Sequence, residues 1–314
     1  MTPSDRQTSL GGLREDARMS ALFRHYDRAG LDAAYDNARK IPVDTLAQYR
    51  RRWAEQSAHA RKSIPCDLDS PYGSGSGERL DIFRPKQPGL SPVQIYIHGG
   101  YWISNDKADC SYVALGFVAA GFCTVVVNYG LVPTIDMREQ VRQARNAVTW
   151  VAANIEKYGG DPGRIYVTGH SAGGHLAVML LAASEPVAAG LAGVTSLSGL
   201  YDLEPVRLSF VNEKLSLRPQ DVVALSPIHC KPRAASARLL LTIGENEGEE
   251  WIRQMNDFAD RWRSSMPHVQ TRVLPGTDHF SMRAALDDAD SSVSRLIWEH
   301  MGAGKPRQET STCP

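Results

Sequence analysis

From about residue 93 onward, apolar residues come in short uninterrupted runs separated by longer stretches of helical period. The runs at 93–97, 123–128, 164–169, 193–198, 238–243 and 269–274 predict strands, and 108–120, 136–158, 172–184, 249–265 and 284–301 predict helices. A run such as Cys123-Thr124-Val125-Val126-Val127 has no polar face. That is the pattern of a strand covered on both sides of a parallel sheet. Alternation of this kind predicts an α/β fold: a mostly parallel, doubly wound sheet with helices on both faces. Ahead of it, Leu80 to Arg84 alternates as a further strand, entered through the flexible turn Tyr72-Gly73-Ser74-Gly75-Ser76-Gly77. Residues 200–235 break the rhythm and are expected to form a small cap over one end of the sheet.

The first part of the chain is patterned differently. Leu22, Tyr26, Leu31, Tyr35, Leu46, Tyr49 and Trp53 lie at wide spacing among Arg, Asp, Ala and Gln, which predicts two or three helices broken near Pro42. The expected organisation is a helical N-terminal extension over 1–62 and a catalytic domain over 63–302 that carries the cap. The polar tail, 303–314, is expected to be disordered.

Composition narrows the partners. The chain has 314 residues, and Lys plus Arg (35) balances Asp plus Glu (35). No net field draws it to nucleic acid or an anionic membrane, and no apolar stretch reaches the length of a membrane span. Five scattered cysteines with no Cys-x-x-Cys spacing argue against a disulfide framework and a zinc site. Together with a polar N-terminus lacking the apolar stretch of a signal peptide, this makes a cytoplasmic protein the expectation. A homodimer is compatible with the sequence and not specified by it.

The chemistry begins at Gly169-His170-Ser171-Ala172-Gly173, set between the strand at 164–169 and the helix that starts at Ala172. A Gly-x-Ser-x-Gly in a strand–turn–helix context places the serine on a sharp turn with its hydroxyl above the sheet. The plain alternative is a serine that N-caps the helix. A hydroxyl needs a base, and His279, in the loop after the strand at 269–274, lies at the carboxyl edge where active sites of open α/β sheets are found. The acid should follow the strand at 238–243, where the loop reads Gly244-Glu245-Asn246-Glu247-Gly248-Glu249-Glu250. A carboxylate three residues past the glycine can turn back toward the histidine, which favours Glu247, with Glu245 and Asp202 as alternatives. Oxyanion donors are expected from Ala172 and, in His98-Gly99-Gly100-Tyr101-Trp102, from Gly100 and Tyr101. Tyr101, Trp102 and Phe210 are expected either to wall a site for a planar leaving group, with Trp102 and Phe210 as substrate contacts, or to pack in the core.

Taken together, His98-Gly99-Gly100-Tyr101-Trp102, Gln140-Val141-Arg142-Gln143-Ala144 and Gly169-His170-Ser171-Ala172-Gly173-Gly174-His175-Leu176 resemble the kynurenine formamidase (arylformamidase) branch of the α/β-hydrolases. Hormone-sensitive-lipase-like esterases are neighbours of that branch. The resemblance spans about residues 65–290, and the Gly-Tyr-Trp form of the His-Gly-Gly loop is its most specific element. It implies an α/β-hydrolase fold and a triad of Ser171, His279 and Glu247. It also implies hydrolysis of an N-formyl arylamine such as N-formylkynurenine without metal or organic cofactor. The expected partner is therefore a small-molecule amide or, as the runner-up, a carboxylic ester. A receptor that kept the fold and lost the chemistry is the reading from another class.

Overall fold

The computed structural model describes residues 21–183, 190–234 and 236–302; the expectation for the tail at 303–314 lies outside them. Eight strands form one sheet in the order β1-β2-β4-β3-β5-β6-β7-β8. They are β1 Cys66–Pro71, β2 Arg79–Phe83, β3 Ser91–Ile97, β4 Cys123–Val127, β5 Gly160–His170, β6 Leu191–Leu197, β7 Arg238–Gly244 and β8 Val269–Leu274. From β4 through β8 every pairing is parallel, while β2 runs antiparallel to both of its neighbours. This is the mostly parallel sheet that the alternating pattern predicts.

Its strands alternate between two cores. Val93, Ile95 and Ile97 pack on one face with Val141 and Val148 of α4 (Met137–Asn154), Leu176 of α5 (Ala172–Leu181) and Phe258 of α9 (Glu249–Arg263). Tyr96 and Val126 point to the other face, toward Trp53 of α2 (Val43–Ser63), Phe117 of α3 (Val113–Ala119) and Trp298 of α11 (Ser292–Met301). Each fully buried aliphatic side chain of this kind contributes about 1.5–3 kcal/mol. Both faces are therefore needed, which explains the apolar runs.

Three differences from the sequence expectation have local causes. β1 was not foreseen as a strand, because Cys66-Asp67-Leu68-Asp69-Ser70-Pro71 is a half-exposed edge whose polar residues hide any period. The stretch at 284–301 is not one helix: α10 (His279–Ala284) and a short 3₁₀ turn precede a break, and α11 starts at Ser292 behind the cap of Ser291. The Asp287-Asp288-Ala289-Asp290-Ser291 run supplies that break, since Asp and Ser prefer caps and turns to helix interiors. His279 is correspondingly not in a loop but is the first residue of α10, whose N-cap is Asp278.

The cap region holds α6 (Glu204–Arg207), α7 (Asn212–Leu215) and α8 (Pro219–Leu225). The N-terminal segment contributes α1 (Arg28–Tyr35), a 3₁₀ turn at Asn37–Lys40 and α2. It is not an appendage. Leu31 and Tyr35 are wholly buried in the first core and Ala60 in the second. Tyr101 Oη donates to the Tyr35 carbonyl at 2.5 Å, and the Phe210 N–H donates to Asp32 Oδ1 at 2.6 Å, so the segment is bonded to both the sheet edge and the cap.

Candidate active site

Sheet order brings together loops that are far apart in sequence. After β3 the chain crosses to β4 on one side, and β5 then returns to pair with β3 on the other, with Ile97 opposite Gly169. Between strands that wind in opposite directions the carboxyl edge opens a crevice. The loop from His98 and the turn at Ser171 both rise there. Next along the edge, Gly244 of β7 lies opposite Leu274 of β8, which makes neighbours of the glutamate loop and the start of α10.

Ser171 has φ 57° and ψ −121°, a conformation disfavoured for a side-chain-bearing residue, and its hydroxyl makes no capping bond to the following helix. The N-cap explanation of this serine therefore fails. The turn is tight because its flanks touch backbone: a Cβ on Gly169 would lie 2.0 Å from the Gly173 carbonyl oxygen, and one on Gly173 would lie 2.1 Å from that of Ile97.

His279 Nδ1 is 2.7 Å from Glu247 Oε2. The other carboxylate oxygen, Oε1, accepts from Ser198 Oγ at 2.6 Å and from the Gly244 N–H at 2.7 Å. Glu247 is wholly buried, so these donors replace the water it gives up. The alternatives are occupied elsewhere. Glu245 is exposed and accepts from the Gly276 N–H at 2.9 Å, while Asp202 accepts from the Glu204 N–H at 3.0 Å and faces Arg253 at 3.4 Å. Lys40 Nζ donates to the Glu247 carbonyl at 2.6 Å, fastening the N-terminal segment to the loop that carries the carboxylate. Its burial lowers the ammonium pKa to about 8.

Ser171, His279, Gly100, Tyr101 and Phe210 line one cavity of about 250 Å³. Tyr101 and Trp102 both have positive φ (49° and 62°), the strain by which this loop turns back on itself below Asn105. Among the described residues the N–H groups of Gly100, Tyr101 and Ala172 donate no hydrogen bond within the protein.

Trp102 departs from the expectation of a substrate contact. It is wholly buried and does not line the cavity; its Nε1–H donates to His175 Nδ1 at 3.2 Å, and His175 Nε2 donates to the Leu225 carbonyl at 2.8 Å. An indole that must satisfy its N–H while burying its rings does so best in the core. Burial lowers the His175 pKa to about 4, which keeps the ring neutral and Nδ1 free to accept. Phe210 does reach the cavity wall. His229 and His268 are exposed, and His300 is buried against β6 and β7.

Several cavity residues carry no sequence signal. His170, between the glycine and the serine, presents Nε2 to the His279 carbonyl at 2.8 Å and so holds the start of α10 against the elbow. Burial, with the neighbouring His279, holds its pKa well below the ordinary histidine range, so Nε2–H is a stable donor. Asn37, Arg50 and Trp53 come from the N-terminal segment and Arg283 from α10.

Related sequences and the same architecture are found among hydrolases. A family profile described as BD-FAE matches residues 80–190. Kynurenine formamidase from Salmo salar is 31% identical, over 82% of this chain and 90% of its own. The Danio rerio enzyme of that name is 32% identical over 77% of this chain and 84% of its own. Esterase LipC of Mycobacterium tuberculosis is 29% identical over 66% of this chain and 58% of its own. Among solved structures, a candidate thioesterase from Silicibacter sp. superposes with a TM-score of 0.76 at 29% identity, covering 85% of this chain and 98% of that one. An esterase from Pyrobaculum calidifontis, at 21% identity and a TM-score of 0.62, shares the fold. The chain thus belongs to the kynurenine formamidase family of α/β-hydrolases and is a hydrolase of amide or ester bonds.

Proposed function

We propose that this protein is a serine hydrolase that cleaves a small acyl arylamide of the formyl type through an acyl-enzyme. The observation that carries the reading is the buried His279–Glu247 pair, 2.7 Å apart, sharing one cavity with the strained Ser171. Glu247, bound on Oε1 by Ser198 and Gly244, orients the imidazole through Oε2, so that Nδ1 carries the proton and Nε2 is the base. Ser171 Oγ attacks the acyl carbon as His279 takes its proton. The oxygen of the tetrahedral intermediate is held by the N–H groups of Gly100, Tyr101 and Ala172, donors worth about 3–4 kcal/mol each in such sites. His279 then gives the proton to the arylamine nitrogen, the C–N bond breaks, and water admitted to the vacated space repeats the sequence to release formate and regenerate Ser171.

Ester hydrolysis by the same groups is the second reading, favoured by the likeness to Esterase LipC. Turnover of formanilide against p-nitrophenyl acetate and butyrate in one assay separates the two. Formanilide is expected to be the better substrate by kcat/KM, and activity on the esters alone would exclude the formamidase reading. Ser171→Ala is expected to lose activity by on the order of 10⁴-fold or more on either substrate. A fluorophosphonate is expected to label Ser171 in the wild type; absence of an adduct in the folded protein would favour a receptor.

A further inference from the structure

Arg283 is a buried cation with no counter-ion among the described residues. The residue is 5% exposed, one helical turn after His279 in α10, and it lines the same cavity. Its Nε donates to Tyr112 Oη at 3.0 Å and its Nη2 faces Cys110 Sγ at 3.6 Å; no carboxylate lies within ion-pair distance of it among the described residues. Neither neighbour supplies negative charge at neutral pH, since burial pushes the Cys110 thiol up to about 11 and the Tyr112 phenol up to about 12. The guanidinium lies 3.9 Å over the ring of Trp53, a contact that tolerates the charge without neutralising it. A buried charge left unpaired is costly enough that one retained at a cavity wall calls for a ligand.

The surroundings repeat the request. Trp53 Nε1 and Asn37 Nδ2, both on the cavity wall, are buried donors with no acceptor. Arg50, three residues before Trp53 on α2 and thus on the same helix side, also lines the cavity, is exposed, and pairs with no carboxylate among the described residues. The one carboxylate among the residues lining the cavity, Asp36, is engaged by Arg39 at 2.8 Å. Two cations and two orphaned donors thus face the cavity, against one orphaned acceptor, His170 Nδ1, among the described residues.

Resting on the hydrolase reading above and deepening it, we propose that Arg283, with Arg50 and the donors of Trp53 and Asn37, forms a carboxylate subsite, so that the substrate is an anionic acyl arylamide. Arg283 and His279, four residues apart, lie on the same side of α10 and line the same cavity, so one ligand can meet both. Arg283 is here a specificity residue that leaves the bond-breaking steps to His279 and Ser171.

The test compares the ortho, meta and para formamidobenzoates with the matching formamidobenzamides, which differ in charge and hardly in shape. Wild-type enzyme is expected to favour at least one acid over its amide by about tenfold or more in kcat/KM, and benzoate to inhibit formanilide hydrolysis competitively where benzamide does not. Arg283→Gln is expected to lower the acid-to-amide ratio by about tenfold, chiefly through KM, with Arg283→Lys retaining part of it. If Arg283→Gln does not fold, Arg50→Gln and the benzoate competition decide, the former with a smaller loss of the same ratio. Equal turnover of acids and amides by the wild type, with benzoate no better an inhibitor than benzamide, would overturn the subsite while leaving the hydrolase reading intact. Conversely, calorimetric binding of benzoate to a wild type that turns over no amide and takes no fluorophosphonate would uphold the subsite and sink the hydrolase.

Discussion

Both oxygens of Glu247 are spoken for, Oε1 by Ser198 and Gly244 and Oε2 by His279. Glu247→Gln keeps the shape but puts an NH₂ against either two donors or the imidazole N–H, so kcat is expected to fall by on the order of 10³–10⁴-fold with KM little changed. Steady-state kinetics on formanilide read this directly, and a loss below tenfold would point to another orienting acid. Gly99 is the second sensitive position: a Cβ there would lie 2.7 Å from the His170 carbonyl oxygen and 2.9 Å from Ser171 Cβ. Neither can retreat without moving the end of β5. Gly99→Ala is therefore expected to cost about 1–3 kcal/mol of stability and about 10²-fold in kcat, checked by thermal melting and turnover on the same sample. At this scale the nucleophile motif and a histidine at a strand's carboxyl end were legible, because each is tied to a local pattern. Ser198, Lys40, Asn37 and Arg283 were not, since a lone polar residue acquires a role only from what folds against it.

The elements divide in the same way. Strands β3, β4, β6, β7 and the second half of β5 show in the sequence because both faces of each are covered, leaving an apolar run that polar loops bracket on either side. Edge strand β1 and the six-residue helix α10 are too polar or too short to carry a period. The N-terminal helices were visible as helices, but nothing in their spacing told that they would cover the site. Their removal tests that placement. A chain lacking residues 1–40 loses Leu31, Tyr35 and the Lys40 bond to the Glu247 carbonyl. Deletion of two wholly buried side chains is expected to cost at least about 3 kcal/mol, with lost turnover of formanilide. A truncated protein with wild-type melting temperature and kcat would show that this segment neither supports the core nor completes the site.

For the molecule as a whole, Lys40 gives a pH signature. Burial lowers its pKa to about 8 in the folded protein, whereas a lysine in the unfolded chain titrates near ~10.4. Between those values the unfolded chain binds more protons than the folded one, so this residue's contribution to stability rises with pH; below about pH 8 the cost of burying its charge is fully present. Lys40→Met removes that slope. Denaturation at pH 7 and pH 10 is expected to show the wild type gaining on the variant at the higher pH. A difference independent of pH would mean that Lys40 is as solvated folded as unfolded.

Read alone, the sequence determined the class of sheet, the strand–turn–helix motif at Ser171 and a histidine, His279, just past a strand's carboxyl end, because apolar period and motif spacing are local properties that survive in one dimension. It also raised Glu247 among several carboxylates without separating it from them by physics alone. Only the tertiary structure set Glu247 against His279, through the β7–β8 register that brings the glutamate loop beside α10. Tertiary packing likewise drew Trp102 into the core, laid the N-terminal helices over the cavity and left Arg283 unpaired beside it. Each of these depends on which surfaces meet across long separations in the chain, and a hydrogen-bond partner, a buried face or a missing counter-ion exists only once they have met.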